Sequence, residues 1–304
     1  MSAAPARVGW IGTGVMGASM CGHLIDAGHP AVVFNRTRAR ADGLIAKGAE
    51  WRDTPAKVAA DSDIVFTIVG MPEDVRSVVL DEDGVLAGAA PGTLLVEMTT
   101  SEPKLARELF DAGAAAGVDV LDAPVSGGDV GAREGKLVIM VGGRTEAFER
   151  ALPLLDAFGR LVFHAGEAGT GQHTKMVNQI AIAGGMVGVC EALVYAARAG
   201  LDVERVIETI SGGAAGSWSL SNYAPRMLRG DFAPGFKVDH FVKDLGIALG
   251  EARQARLSLP GLALAEQLYV ALQAEGRGQS GTQALVLALA RLSSLDWPVE
   301  QGAS

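Results

Sequence analysis

The chain has 304 residues, of which 49% are hydrophobic and 20% charged, so it can bury a large core and is long enough for two domains. Its formal net charge of -9 would repel a polyphosphate backbone and disfavours nucleic acid as a partner. The two cysteines, Cys21 and Cys190, lack the spacing of a disulfide framework or a zinc site, and no His/Asp/Glu cluster indicates another metal.

The location of the protein is expected to be cytoplasmic, because the N-terminal residues do not combine a basic segment with an apolar signal core. The most apolar long stretch, residues 180–200, contains Glu191 and Arg198 and is rich in glycine and alanine. This composition predicts a buried helix rather than a membrane span, and therefore no membrane partner.

Short β-rich runs alternate with helical patterns in the first half of the chain. The runs are Arg7–Ile11, Ala31–Phe34, Ile64–Val69, Thr93–Glu97, Val118–Leu121, Leu137–Val141 and Leu161–Phe163. The third run is apolar throughout, which is typical of a strand that is covered on both faces. The alternation predicts an α/β domain with a Rossmann-type, doubly wound parallel sheet.

The strand pattern largely stops after Ala165. Helical segments separated by glycine, serine and proline follow, among them Asp202–Ile210, Lys243–Leu257 and Ala284–Leu292. We therefore predict an α/β domain over residues 1–165 and an all-helical domain over residues 166–304.

A glycine motif, Gly12-Thr13-Gly14-Val15-Met16-Gly17, follows the first predicted strand and opens a helix. In this context the first glycine permits a tight turn, the second lets the backbone approach a pyrophosphate, and the third lets the helix pack closely on the strand. The first helical N–H groups can then bind anionic oxygens. Residues 12–17 are thus a predicted dinucleotide site, and residues 1–165 a predicted dinucleotide-binding domain.

The second strand is followed by Asn35-Arg36-Thr37-Arg38, where an NAD enzyme commonly has an acidic residue for the ribose. Arg36 can form a charge-assisted fork with a 2′-phosphate, and Thr37 can donate to the same group. NADP (as NADPH in reduction) is therefore favoured, with NAD as the alternative. Two alternatives stay open, since the arginines could be solvated and Asn35 alone could serve a ribose.

The catalytic candidates come from two later segments. Ser126-Gly127-Gly128 follows another predicted strand and offers a hydroxyl and backbone N–H groups to a carboxylate or carbonyl oxygen. Lys175 opens an apolar helix where two domains should meet, so we expect its side chain to face a cleft. Asn178 and Gln179 lie three and four residues further on, on the same helical face.

Four motifs in this order resemble the β-hydroxyacid dehydrogenase family, which includes 3-hydroxyisobutyrate dehydrogenases, tartronate semialdehyde reductases and glyoxylate/succinic semialdehyde reductases. They are Gly12–Gly17, Asp122–Gly128, Gly169–Asn178 and Phe241–Leu245, and the resemblance covers essentially the whole chain. It implies a 6-phosphogluconate dehydrogenase-like fold, a small carboxylated hydroxy acid or semialdehyde as substrate, and a homodimer or homotetramer built through the helical domain.

The resemblance also implies individual roles. Lys175 would be the general acid/base, Ser126, Gly127 and Gly128 would hold the substrate, and Asn178 or Gln179 would orient it. Met71, Pro72 and Thr100 would line the cofactor, with Lys243 near the nicotinamide and the substrate. Two alternatives remain at this stage: an imine reductase-like NADPH enzyme, which typically lacks the lysine, and a catalytically inactive nucleotide-binding protein.

Overall fold

The computed structural model describes residues 5–297 and divides into two compact units after Lys175. This division lies within a long helix and ten residues beyond the boundary expected at 165/166. The boundary at 165/166 stays a prediction. The first turn of the long helix belongs to the N-terminal unit by its contacts.

The described part of the N-terminal unit contains a nine-stranded sheet and its covering helices. The strands are β1 (Val8–Ile11), β2 (Ala31–Phe34), β3 (Glu50–Trp51), β4 (Ile64–Thr67), β5 (Leu94–Glu97), β6 (Asp119–Asp122), β7 (Val125–Ser126), β8 (Leu137–Gly142) and β9 (Gly159–Gly166). The helices are α1 (Val15–Asp26), α2 (Asp42–Ala46), α3 (Pro55–Ala60), α4 (Pro72–Leu80), α5 (Val85–Gly88), α6 (Pro103–Ala115), α7 (Gly128–Arg133), α8 (Thr145–Leu155) and the start of α9 (Thr170–Arg198).

The sheet topology confirms the predicted doubly wound fold. Six strands are parallel in the order β3-β2-β1-β4-β5-β6, so the strand order reverses between β1 and β4. The sheet is not parallel throughout, because β8 runs antiparallel to β6 and β7 before β9 continues parallel to β8. Ligands bind such sheets beyond the carboxyl ends of strands that flank a reversal of this kind.

Both faces of the sheet are buried, as the continuous apolar strands predict. On β1 and β4, Trp10 and Phe66 belong to one hydrophobic cluster, while Ile11 and Val65 belong to another. The Trp10 and Phe66 rings stack with centroids 5.1 Å apart, and Phe158 packs against both edge-on. Neighbouring residues of a strand point to opposite faces, so two clusters require helices on both sides.

The described part of the C-terminal unit is helical around its own core. It comprises the rest of α9 with α10 (Val203–Ser211), α11 (Trp218–Asn222), α12 (Ala224–Leu228), α13 (Val238–Gln254), α14 (Pro260–Ala274) and α15 (Leu285–Leu292). Among residues 5–297, α9 alone is long and apolar enough to span a membrane by length and composition. Its buried residues, including Ala183, Met186 and Cys190, contribute to the core of this unit, as expected of a core helix.

Two strands were not predicted from the sequence. β3 and β7 are each two residues long, too short to show the periodicity that identifies a strand. The predicted run at Leu161–Phe163 is the middle of a longer edge strand, β9, in which Leu161 and Phe163 remain exposed.

Candidate active site

The glycine loop between β1 and α1 is shaped by two positions that no other residue can occupy. Gly12 has φ +96°, and a Cβ there would lie 2.0 Å from the carbonyl oxygen of Ile68. A Cβ at Gly17 would lie 2.0 Å from the carbonyl oxygen of Gly12. Trp10 Nε1 donates to that same oxygen at 3.0 Å, so the turn is fixed from the core side.

Gly14, unlike Gly12 and Gly17, is not required by close packing within the protein. It is the N-cap of α1, none of the described side chains caps it, and a Cβ there would meet no atom within 4 Å. Val15 is 74% exposed and Met16 is half-buried. The first N–H groups of α1 and the bare backbone at Gly14 therefore form a cradle that fits a pyrophosphate.

Asn35 and Arg36 directly follow β2, and their side chains lie in different environments. Asn35 Oδ1 accepts from the Thr13 N–H at 3.0 Å, and its Nδ2 donates to the Thr37 carbonyl at 2.9 Å. The Arg36 side chain is 87% exposed, with Nη1 3.2 Å from Asp74 Oδ1. Thr37 is also exposed. Asn35 therefore holds the loop together, while Arg36 and Thr37 project outwards.

The loops after β4 and β5 follow along the same edge of the sheet. Met71 and Pro72 are half-buried at the start of α4, where the Met71 N–H donates to Asp74 Oδ2 at 3.2 Å. Thr99 Oγ1 accepts from the Val69 N–H at 2.9 Å, which ties the two loops together. The next residue, Thr100, is half-buried. Met71, Pro72 and Thr100 thus lie at the edge where such sheets bind ligands.

The Ser126-Gly127-Gly128 segment turns from β7 into α7. Ser126 is half-buried and pairs with Val138 of β8. Gly127 and Gly128 have φ +135° and +63°, and a Cβ on Gly127 would lie 3.0 Å from Leu137 Cδ2. Glycine relieves both constraints, because its backbone adopts positive φ without steric cost.

Asp122 connects this segment to the start of α9. The side chain is 4% exposed, and its two oxygens accept from the N–H groups of Gly169 at 2.7 Å and Gln172 at 2.8 Å. Burial raises the pKa of Asp122 to about 6, and these backbone hydrogen bonds oppose the rise. A Cβ on Gly142, at the end of β8, would lie 2.5 Å from Asp122 Oδ1, so this position requires glycine. Asp122 therefore anchors the helix N-terminus.

Lys175 lies on the second turn of α9, three residues after Gln172. Its side chain is 6% exposed and belongs to the N-terminal unit. Lysine is rarely buried to this extent, because its ammonium group loses solvation. A lysine buried in this way is a candidate functional residue, because the cost of burying it must be offset by what it contacts or does.

The C-terminal unit contains a polar chain of four side chains. Asn178 Nδ2 donates to Gln179 Oε1 at 2.8 Å, and Gln179 Nε2 donates to Asp244 Oδ2 at 2.5 Å. Lys243 Nζ lies 2.9 Å from Asp244 Oδ1. Gln179 and Asp244 are each 1% exposed, whereas Asn178 is half-buried. Asp244 fixes Gln179 and partly balances the charge of Lys243.

Family profiles match nearly the whole chain. Residues 7–166 match the NAD binding domain of 6-phosphogluconate dehydrogenase. Residues 169–289 match a domain described as the NAD-binding domain of NADP-dependent 3-hydroxyisobutyrate dehydrogenase. A probable 3-hydroxyisobutyrate dehydrogenase-like protein of Arabidopsis thaliana is 54% identical over 95% of this chain and 86% of its own length.

The chain belongs to the β-hydroxyacid dehydrogenase family. The 2-hydroxy-3-oxopropionate reductase of Escherichia coli is 39% identical over 93% of the chain and 97% of its own length. A structure of the Mycobacterium tuberculosis 3-hydroxyisobutyrate dehydrogenase with L-serine has a TM-score of 0.86 at 30% identity, covering 94% of this chain and 99% of that one. The chain is an NAD(P)-dependent hydroxyacid dehydrogenase.

Membership of the β-hydroxyacid dehydrogenase family confirms the predicted family and fold class. It also favours the hydroxyacid dehydrogenase over the imine reductase and the inactive nucleotide-binding protein. The roles of individual residues stay predictions. Asp122 and Asp244 were not predicted to take part; the only available signal was that each is acidic and lies within a family motif.

Proposed function

We propose that the chain transfers hydride between NADP and a small β-hydroxy acid or its semialdehyde, with Lys175 as the general acid/base. The observation that carries this proposal is a buried lysine on the second turn of α9, a helix whose N-terminus Asp122 holds beside the Ser126 segment. The glycine loop between β1 and α1 would hold the dinucleotide, which when bound would supply the two-electron hydride chemistry at the carbinol or carbonyl carbon.

Lys175 handles the proton. In oxidation, the neutral Nζ accepts the proton of the substrate hydroxyl as the carbonyl forms. In reduction, the ammonium group donates a proton to the developing alkoxide oxygen. Both directions need a lysine that exchanges a proton with the substrate oxygen, and its low exposure keeps bulk water from competing for that proton.

The substrate carboxylate is assigned to Ser126 and the N–H groups of Gly127 and Gly128. Both positive-φ glycines leave that backbone open to an anion. Of the two amides on α9, we assign Asn178 to the substrate, because Gln179 is almost fully buried and both ends of its amide are bonded. Lys243 is assigned to the cofactor, in keeping with the family resemblance.

The proposal predicts what the purified protein turns over. We expect NADPH-dependent reduction of glyoxylate, succinic semialdehyde, methylmalonate semialdehyde or tartronate semialdehyde, or oxidation of 3-hydroxyisobutyrate or serine with NADP. NADPH should exceed NADH by about tenfold or more in kcat/KM, since a charge-assisted hydrogen bond contributes about 1.5–3 kcal/mol. Nicotinamide absorbance measures both rates.

Matched controls test the carboxylated substrate and the NADPH preference separately. The methyl ester of 3-hydroxyisobutyrate lacks the carboxylate charge and should react at least about tenfold more slowly. Arg36→Ala should weaken NADPH binding but not NADH binding. Arg38→Ala should change neither, because its guanidinium lies 5.5 Å from the Trp51 ring centroid. A wild type that prefers NADH, or an ester turned over as fast as the acid, would contradict the proposal.

We also propose that the protein is a homodimer or homotetramer. Along α9, Gly184, Gly185 and Gly188 are exposed, and a Cβ on any of them would meet no atom within 4 Å. Val177 and Tyr195 on the same helix are 67% and 74% exposed. Glycine costs about 1 kcal/mol relative to alanine in an exposed helix, so close packing against a second copy would offset the cost. Sedimentation as a monomer at assay concentration would contradict this.

A further inference from the structure

Gln172 is a fully buried polar residue on the first turn of α9. Its side chain is 0% exposed, and both ends of its amide are bonded. Nε2 donates to the Thr99 carbonyl at 2.8 Å, and Oε1 accepts from the Ser101 N–H at 2.9 Å. All three of these groups are buried, so each bond is made away from water.

The two bonds bracket Thr100. In a parallel sheet, one residue donates its N–H to a carbonyl of the neighbouring strand, and its own carbonyl accepts from the N–H two residues further along that strand. The Gln172 amide makes the same two bonds, to the Thr99 carbonyl and from the Ser101 N–H. The backbone on both sides of Thr100 is therefore fixed to α9.

The backbone of Gln172 is fixed as well. Its N–H donates to Asp122 Oδ2 at 2.8 Å, and Thr99 Oγ1 accepts from the Val69 N–H at 2.9 Å. The end of β6 and the loop after β5 are thus both bonded to this turn of α9, and the β5 loop is in turn bonded to the loop after β4.

We propose that Gln172 is a positioning residue that holds Thr100 in register with Lys175. The proposal rests on the proposed function in one respect, the assignment of Lys175 as the proton-transfer group. Lys175 lies three residues after Gln172, which places it one turn further on the same side of the helix. Any shift of the β5 loop relative to this turn changes the position of Thr100 relative to Lys175.

This position affects rate more than binding. Proton and hydride transfer need reacting atoms at close to contact distance, and a displacement of about 1 Å can cost about 100-fold in rate. The glycine loop, in contrast, is held by Trp10 and Asn35 and has no bond to Gln172 among the described residues. Thr100 is itself expected to line the cofactor, so loss of the Gln172 amide should lower kcat strongly and change NADPH affinity much less.

The test compares Gln172→Met with Gln283→Met. Gln283 is a matched control, since it is also 0% exposed and its Nε2 donates to the Asp231 and Ala233 carbonyls, both at 3.1 Å. We expect Gln172→Met to lower kcat for 3-hydroxyisobutyrate oxidation by about tenfold or more, and Gln283→Met by less than about twofold. Titration of NADPH fluorescence should give a Kd within about twofold of the wild type for both variants.

A second variant tests the amide pattern itself. In Gln172→Glu the protonated carboxyl can donate to Thr99 and accept from Ser101, whereas the ionised form repels the Thr99 carbonyl. Its kcat relative to the wild type should therefore rise as the pH is lowered, and that of Gln172→Met should not. This comparison applies even if the methionine variant does not fold.

Hydrogen exchange provides a readout that does not depend on turnover. Residues 99–101 should exchange faster in Gln172→Met than in the wild type or Gln283→Met, because the Ser101 N–H loses its acceptor. Unchanged exchange there, or a kcat equal to that of Gln283→Met, overturns the proposal. Failure of the proposed function would be seen separately, as turnover that survives replacement of Lys175.

Discussion

Lys175→Met is expected to lower kcat by about 100- to 10,000-fold, the range that general acid/base catalysis contributes. Methionine is unbranched and of similar length, so it can fill the buried position without the amine. NADPH affinity and unfolding midpoint should stay close to the wild type. Steady-state kinetics, fluorescence titration and thermal unfolding measure the three quantities.

Two further variants make the Lys175 result specific. Lys175→Arg keeps the positive charge but cannot release its proton near neutral pH, so it should be as inactive as Lys175→Met. Lys136→Met removes an exposed lysine that pairs with Glu134 and should leave kcat unchanged. An active arginine variant would show that the lysine acts only through its charge. Wild-type turnover in the methionine variant would refute the acid/base assignment altogether.

Asp122 is expected to give the protein an unusual dependence of stability on pH. Its pKa is raised from 3.8 to about 6, chiefly by burial. Relative to Asp122→Asn, which cannot titrate, the unfolding free energy of the wild type should rise by about 2–3 kcal/mol from pH 7 to pH 4. Urea unfolding of both proteins across that range measures the difference.

The sign follows from where the proton binds. Above about pH 6, Asp122 is ionised in both the folded and the unfolded chain, and its buried charge opposes folding. Between about pH 6 and 3.8 the folded protein binds a proton that the unfolded chain does not, so stability increases as the pH falls.

Asp61 provides a control of the opposite sign. A hydrogen bond from Arg52 lowers the pKa of this carboxyl, so its stabilising contribution is present above its ordinary pKa and is lost as the pH falls through the lowered value. The wild type should therefore lose stability relative to Asp61→Asn at low pH. Parallel curves for the wild type and Asp122→Asn would contradict the burial argument for Asp122.

The fold could be predicted from the sequence because its signals are local. The glycine motif lies between a strand and a helix, and the continuous apolar run at β4 indicates a strand covered on both faces. β8 was correctly placed as a strand, but its antiparallel direction was not predicted. Direction depends on how the short α7 connection turns the chain, and residue periodicity carries no information about that.

The candidate site was only partly predictable for a different reason. The glycines and Lys175 lie within motifs whose residues are close in sequence. The residues that hold these motifs in place bond to distant parts of the chain. Asp122 bonds backbone N–H groups 47 and 50 residues away, and Gln172 bonds backbone more than 70 residues away. A polar side chain bonded to distant backbone leaves no periodic pattern, so Gln172 could not be distinguished from a solvated residue such as His173.

Asn35 constrains how the coenzyme preference of this enzyme could be altered, whether by natural selection or by protein engineering. Its amide is occupied by the backbone of Thr13 and Thr37, so a carboxylate introduced there would oppose the Thr37 carbonyl and loosen the turn that carries the pyrophosphate cradle. Arg36, in contrast, is 87% exposed, and its surface ion pair with Asp74 contributes little to stability. Redesign for the other coenzyme is therefore best begun at Arg36, with Asn35 left unchanged.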